Sequence, residues 1–460
     1  MMAKENKNNE LGSAPIGKLL LKMAVPTVMA QLVNLLYGIV DRIYVGRIPG
    51  SGSFALAGLG VTFPILMLIS AFGALVGMGG APRAAIAMGE KDDKKAGLIL
   101  GNSVTLLLIF SVLLTVVFSF TKEPILRAFG ASENILPYAS EYISVYLIGT
   151  IFVLLTLGLN VFITTQGFAA ASMMTVCIGC VLNIILDPIF IFTLNMGVAG
   201  AAVATVISQG VSAVWVVGFL CSRKSKLRIR FENMRLRLQI VGTTLALGSS
   251  AFVMQATECA VQLVFNKGMQ TYGNDMYVAL MSIMFSLTQI VWLPLMGVGQ
   301  GAQPIISYNY GAKNMQRVKD TIKTLVFVCI CFSVVSVGAI LIFPNAFIGL
   351  FTPDAELIAI GKTPLRIFIC GMLMMGMQSA CQQSFLALGQ AKDSMIMALL
   401  RKVILLLPLA LVLPGVFGLG LWGLFIAEPI SDVIASIVTT VTFKIKSRKL
   451  LENTGNPQET

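Results

Sequence analysis

The sequence predicts an all-α integral membrane protein of twelve transmembrane helices, built as two six-helix repeats. Three observations predict it. Hydrophobic residues make up 56% of the 460-residue chain and charged residues 12%, about half the usual quarter of a soluble domain. Charge-free runs recur along the chain, at residues 23–40, 48–82, 96–121, 142–186, 188–222, 238–257, 276–312, 324–353, 367–391 and 403–427. The second half of the chain also repeats the first at a shift of 222 residues.

A spanning helix needs about 20 mostly apolar residues, so the 45-residue run 142–186 holds two spans and a tight turn. The expected helices are 17–45, 53–81, 97–121, 135–164, 168–193, 197–222, 238–268, 275–302, 321–350, 356–389, 394–415 and 418–443. The runs do not alternate apolar with polar residues, which excludes a β-barrel. With both termini cytoplasmic, 26 of the 33 Lys and Arg fall on the inner face, including Lys392, Arg401 and Lys402 as loop anchors. The net charge of +12 therefore lies mostly along one membrane face, and no nucleic-acid partner is expected. Residues 1–14 are polar and the first apolar run is a full span, so no cleavable signal is expected.

The repeat is concrete. GMGGAPRAAIAMGEK superposes on GQGAQPIISYNYGAK, pairing Gly77 with Gly299, Gly79 with Gly301, Pro82 with Pro304 and Lys91 with Lys313. The same shift lays Gly167 on Gly389, Ser172 on Ser394, and Thr156 and Asn160 on Gln378 and Gln382. One residue further along, GVAGAAVAT matches GLWGLFIAE. Six helices per copy keep both copies in one orientation, so the pseudo-two-fold axis should run along the membrane normal. The expected organisation is a lobe at 15–222, a basic linker at 223–237, a second lobe at 238–445 and a tail at 446–460. Two packed halves with a cleft between them are the usual architecture for alternating access.

Polar residues inside spans cost about 2.5–3.5 kcal/mol when charged, so they usually face a cavity and mark function. Asn34, Tyr37 and Asp41 form one stripe of the first helix. Asn183 and Asp187 share a face of the fifth, and Thr205 sits in the sixth with Gln209 one turn away. Counting from the outer ends puts Asp41, Asp187 and Thr205 within roughly 6 Å of one level. Two carboxylates, an amide and a hydroxyl there suit a hard cation or a shared proton. The alternatives are an Asp41–Arg42 salt bridge at the interface and a turn cap by Asp187 before Pro188. No histidine occurs, so a transported proton must ride on carboxylates, tyrosine or water. Cys177 and Cys180 lie within an apolar helix and read as packing residues, and the 24 methionines read first as ordinary packing.

This constellation resembles the multidrug and toxic compound extrusion (MATE) transporters, most nearly the DinF-type bacterial and archaeal branch, over roughly residues 15–445. The resemblance rests on Pro26 in AVPTVMAQL, LLYGIVDRIYVG, the paired GxGxxP segments, TTQG, NIILDP and GVAGAAVAT. It implies a V-shaped pair of six-helix lobes and a secondary antiporter that exports drugs in exchange for sodium or protons. It further implies that Asp41, Asn183, Asp187 and Thr205 line a cation site with Tyr37 nearby, and that Pro26 bends the first helix. No cofactor beyond the coupling ion is expected. The expected setting is a bacterial or archaeal cell membrane, with the chain acting as a monomer.

The second half departs from the first. At the same shift Asp41 faces Leu263 and Asp187 faces Leu409, so the carboxylate site has no copy. Helix seven carries Gln255, Glu258, Gln262 and Asn266 as a stripe instead. Another branch of the family pairs the residue matching Glu258 with an acid in helix ten. Gln378 and Gln382 stand there in this chain, which leaves a second ion site open; Glu258 then serves to attract a cationic substrate. Glu428 and Asp432, four apart in helix twelve, contact substrate or pair with Arg401 or Arg366.

Other classes fit less well. No GxxxxGK[ST] occurs, so nucleotide hydrolysis does not drive the chain, and no His-bearing or clustered Asp motif supports a membrane enzyme. A lipid-linked oligosaccharide flippase of the same superfamily is the nearest rival. It would need a cationic cleft for pyrophosphate, whereas the intramembrane charges placed from sequence are mainly acidic. Amphipathic organic cations are therefore the expected cargo.

Overall fold

The computed structural model describes residues 10–49, 52–273, 275–352 and 354–452. All regular structure among them is helical. Among the described residues, eleven helices are long and apolar enough to cross a membrane, and a helix pair bent by 60° would bring the number to twelve if it is one span. In chain order these are α1 (Ile16–Gly46), α2 (Gly52–Gly89), α3 (Asp93–Ala128) and α4 (Leu136–Ile148 with Thr150–Thr165). They continue with α5 (Ala169–Pro188, extended by a π-helical turn Ile189–Thr193), α6 (Gly197–Cys221), α7 (Leu238–Tyr272) and α8 (Asp275–Gly311). The last four are α9 (Met315–Ile342), α10 (Ala355–Ala387), α11 (Ala391–Gly415) and α12 (Gly420–Glu452). Several run past the expected ends, because amphipathic turns such as Asp93–Lys95 and Met315–Lys319 continue the helix beyond its apolar stretch. The expected ninth helix, 321–350, stops at Ile342, and Pro344 opens a separate short helix, Pro344–Gly349. Proline cannot continue the ladder but is accommodated in a first turn.

The repeat is written into the backbone. Lys91 and Lys313 both adopt positive φ, at 61° and 56°. After each, a side chain caps the next helix: Asp92 accepts from Lys95 N, and Asn314 accepts from Arg317 N. Gly167 and Gly389 share the left-handed turn before α5 and α11, at 90° and 71°. Asn160 Nδ2 donates to Ser172 O at 3.2 Å, and its counterpart Gln382 Nε2 donates to Ser394 O at 2.9 Å. Equivalent residues thus fasten α4 to α5 and α10 to α11.

Two compact units result, one of Val25–Gln255 and the other of Met1–Ala24 with Ala256–Thr460. The division crosses α1 beside Pro26, through which α1 remains helical. Lipid offers little hydrophobic drive for helix association, so close packing of small residues must supply it. In the first unit a Cβ at Gly248 would lie 1.7 Å from Leu75 O, and one at Gly79 would lie 2.1 Å from Thr244 O. The backbones of α2 and α7 touch there, which explains why the first turns of α7 belong to that unit. A Cβ at Gly301 would lie 2.6 Å from Ala24 Cα, so in the other unit α8 holds the start of α1 in the same way. Phe72 packs against Phe110 and Phe252 in one core, and Phe265, Phe285 and Phe368 pack edge-to-face in the other.

Candidate functional site

The polar residues of α1, α5 and α6 meet inside the Val25–Gln255 unit. Asn183 and Asp187 lie one turn apart on α5 and project from the same face. Asn183 Nδ2 donates to Asp187 Oδ1 at 3.2 Å and to Thr205 Oγ1 on α6 at 3.3 Å. The Thr205 hydroxyl also shares a 3.3 Å hydrogen bond with Tyr37 OH on α1. Tyr37, Thr205, Asn183 and Asp187 therefore form one continuous polar chain across three helices. Asp41, one turn beyond Tyr37, lies close enough for its charge to act on both Tyr37 and Asp187.

Burial makes this cluster unusual. Asp187 is fully enclosed and Asp41 is 7% exposed. Asp41 Oδ1, Asp187 Oδ2 and Asn183 Oδ1 accept no hydrogen bond among the described residues. A buried carboxylate without a partner is costly, and two facing each other add repulsion. Arg42 does not relieve it: the side chain is exposed and forms no ion pair with Asp41, though its charge attracts the carboxylate. Asp187 does not act as a cap. Its helix runs on through Pro188 into the π-helical turn, where Leu194 N bonds Ile189 O. A Cβ at Gly200 would lie 2.7 Å from the Phe190 carbonyl, so α6 closes against this turn and brings Thr205 beside Asn183. Three unpartnered acceptor oxygens next to a hydroxyl fit a bound proton or a small hard cation.

Two site residues were not singled out from the sequence. Tyr142 and Tyr146, on the first segment of α4, are buried and stack at 6.1 Å. The Tyr142 hydroxyl approaches Thr205, and the Tyr146 hydroxyl lies near enough to Tyr37 to act on it electrostatically. The 60° bend at Gly149 aims them here. Gly149 is required because a Cβ would lie 2.5 Å from Val206 on α6. The Tyr-x-x-x-Tyr spacing was the available signal.

Residues 256–460 hold a second charged cluster. Arg401 donates through Nε to Asp432 Oδ1 at 2.8 Å and through a terminal nitrogen to Glu428 Oε1 at 3.4 Å, with Trp292 stacked 5.6 Å away. Lys402 Nζ donates to Glu258 Oε2 at 3.0 Å, and Gln262 is within hydrogen-bonding reach of Glu258. The reading of Arg401 and Lys402 as loop anchors is corrected: both are buried, about 15 Å into α11, on a π-helical segment Leu400–Leu406. Three carboxylates surround the two cations, and among the described residues one oxygen each of Glu428 and Asp432 keeps no hydrogen-bond partner. Arg366 bonds Leu341 O instead.

The remaining candidates scatter. Asn34 is exposed on α1, and Gln255 is partly buried with its Oε1 unpartnered. Gln378 is buried with a free Oε1, while Gln382 is held by Ser394. The Asn266 side chain lies outside the described residues. Among the described residues, no three His, Cys, Asp or Glu are grouped to hold a metal, and Cys177 and Cys180 are free.

The MatE family model matches twice, over residues 26–189 and 250–412, once in each sequence repeat. The chain is 28% identical over 425 residues to the multidrug export protein MepA of Staphylococcus haemolyticus, covering 92% of this chain and 93% of that one. It is 27% identical to MepA of Staphylococcus aureus strain NCTC 8325, covering 92% and 94%. Among solved structures, MATE in the bent conformation superposes with a TM-score of 0.91 at 24% identity, covering 98% and 99%. A MOP superfamily transporter from Pyrococcus furiosus superposes with a TM-score of 0.89 at 24% identity, covering 96% and 98%. The two family matches span most of the twelve helices, and the chain belongs to the MatE family, a transporter and not an enzyme.

Proposed function

We propose that this protein is a secondary multidrug exporter that moves amphipathic organic cations outward in exchange for protons or sodium ions. The observation that carries the reading is the set of unpartnered, buried oxygens on Asp41, Asp187 and Asn183. A proton or sodium ion at Asp41 and Asp187 removes their repulsion, so the empty and loaded site favour different arrangements of α1, α5 and α6. One elementary charge moving through 100 mV supplies about 2.3 kcal/mol, enough to shift such an equilibrium roughly fiftyfold. Thr205 and Tyr37 relay the change from α5 and α6 to α1, where Pro26 provides a kink that packing can open or close. Taken unit by unit, Asn34, Tyr37 and Gln255 in one unit, and Glu258, Gln262, Gln378, Gln382 and Glu428 in the other, are polar positions each unit could offer to substrate. Carboxylates outnumber cations among the groups placed inside the spans, which favours cationic cargo over the pyrophosphate of a flippase.

The export names of the staphylococcal relatives support this reading. The protein would act as a monomer in the cell membrane with both termini cytoplasmic. Reconstituted vesicles loaded with a fluorescent lipophilic cation test it, with sodium and pH gradients imposed separately. Gradient-driven movement of the dye under at least one of the two supports the proposal. Movement under neither, or movement only of anionic compounds, overturns it.

A further inference from the structure

Residues 223–237 carry seven basic residues and one acid, and their structure is a strap laid along α3. Asn102 is the main clamp. Its Oδ1 accepts from Arg237 N at 2.7 Å, and its Nδ2 donates to Asn233 O and Arg235 O at 3.2 Å each. Thr105 Oγ1 donates to Met234 O at 2.7 Å. A Cβ at Gly101 would lie 2.3 Å from Asn233 O, and one at Gly97 would lie 2.9 Å from the Asn233 side chain. At the other end Gln166 Oε1 accepts from Ser225 Oγ, Lys226 N and Leu227 N, at 2.9, 2.8 and 3.0 Å.

The depth of the clamps matters. Gly97, Gly101, Asn102 and Thr105 lie about 6 to 18 Å along α3 from its first residue, on its apolar stretch. Non-helical backbone survives at that level only when its polar groups are satisfied by protein. Here α3 supplies the partners for the inner face of the strap. The outer face is apolar and basic together. Phe231 is 92% exposed and Leu238 is 89% exposed, with Leu236 also exposed beside them. Arg230, Arg235 and Arg237 are exposed and pair with no carboxylate among the described residues. Lys226 is different: partial burial lowers its pKa, with Asp93 opposing.

The described part of the corresponding segment in the other unit, residues 10–15, is also held through its carbonyls, though by different side chains. Arg317 at the start of α9 donates to Leu11 O at 3.3 Å and also to Ala14 O. Asn309 holds Leu11 O from α8 at 2.8 Å. That segment buries Leu11, whereas the strap leaves its aromatic outside.

We propose that the strap is a binding surface for anionic phospholipid. Phe231, Leu236 and Leu238 enter the acyl-chain boundary, while Arg230, Arg235 and Arg237 hold the phosphates of the headgroups. Aromatic and aliphatic side chains flanked by arginine are the chemistry an anionic interface selects. The fixed backbone supplies the preorganisation that a free basic loop lacks.

Phe231→Trp in the full chain tests this in nanodiscs, with bromine placed on the acyl chains near the glycerol. The three native tryptophans are subtracted using the unsubstituted protein. At equal mole fraction, brominated phosphatidylglycerol should quench the new fluorescence at least twofold more than brominated phosphatidylcholine. Adding R230Q, R235Q and R237Q should remove that difference. No quenching, or equal quenching by both lipids in F231W alone, overturns the proposal, and that comparison does not require the arginine variants to fold.

Discussion

Asn183 and Thr205, on adjacent helices α5 and α6, are joined by a 3.3 Å hydrogen bond that places both next to the enclosed carboxylate of Asp187. Neither residue is charged, yet together they set the position of the site. The Asn183 amide holds one Asp187 oxygen, and the Thr205 hydroxyl passes the connection to Tyr37 on α1. Their removal should disturb ion binding before it disturbs the fold.

Thr205→Ala takes away the hydroxyl common to Tyr37 and Asn183. A buried hydrogen-bonding group left unsatisfied costs about 1–3 kcal/mol. The expected outcome is a weaker coupling-ion dependence of transport, by about tenfold, with Thr205→Ser restoring most of it. Initial rates across a series of ion concentrations check this, and identical profiles for Ala and Ser would count against the relay.

Gly149 sets the bend that presents Tyr142 and Tyr146. Gly149→Ala places a methyl 2.5 Å from Val206. Overpacking of this kind costs about 1–3 kcal/mol. Thermal unfolding in detergent should show a lower midpoint for Ala and a much lower one for Leu. An unchanged midpoint for both would mean that α4 and α6 pack more loosely than described.

The ion pairs around α11 should behave as a buried network. Lys402→Met leaves the half-buried Glu258 without its 3.0 Å partner, and leaving such a group unsatisfied costs about 1–3 kcal/mol. Adding Glu258→Gln should recover a large share of the loss. If the double variant is as unstable as the sum of the singles, the pair is not coupled.

Much of this architecture could be read from the sequence, and the omissions have physical causes. The stripes at Tyr37/Asp41 and Asn183/Asp187 were legible because helical periodicity converts spacing directly into a shared face. The repeat was legible for a similar reason: Gly167/Gly389 and Lys91/Lys313 keep left-handed turns at equivalent places. Arg401 and Lys402 were misread because a basic pair near a helix start looks like an interfacial anchor. The spacing of Glu428 and Asp432 already offers Arg401 as a partner, and the structure shows that pairing; only the pairing of Lys402 with Glu258 needs three dimensions. Tyr142 and Tyr146 were missed because the direction of α4 depends on a break at Gly149, which no local pattern announces. In sequence the strap shows only as a basic linker, because its clamps, Asn102 and Gln166, lie far away along the chain.

The central claim is that the Asp41 and Asp187 carboxylates carry the coupling ion. Asp41→Asn and Asp187→Asn keep size and remove charge, so binding of a lipophilic cation elsewhere in the protein should persist. The most direct measurement is dye movement in proteoliposomes under an imposed pH or sodium gradient, alongside dye binding to the same purified variants. The account predicts that each variant binds dye within about threefold of the native protein, a difference of roughly 0.6 kcal/mol, while gradient-driven movement falls to the level of protein-free vesicles. Near-native gradient-driven movement by both variants would contradict it.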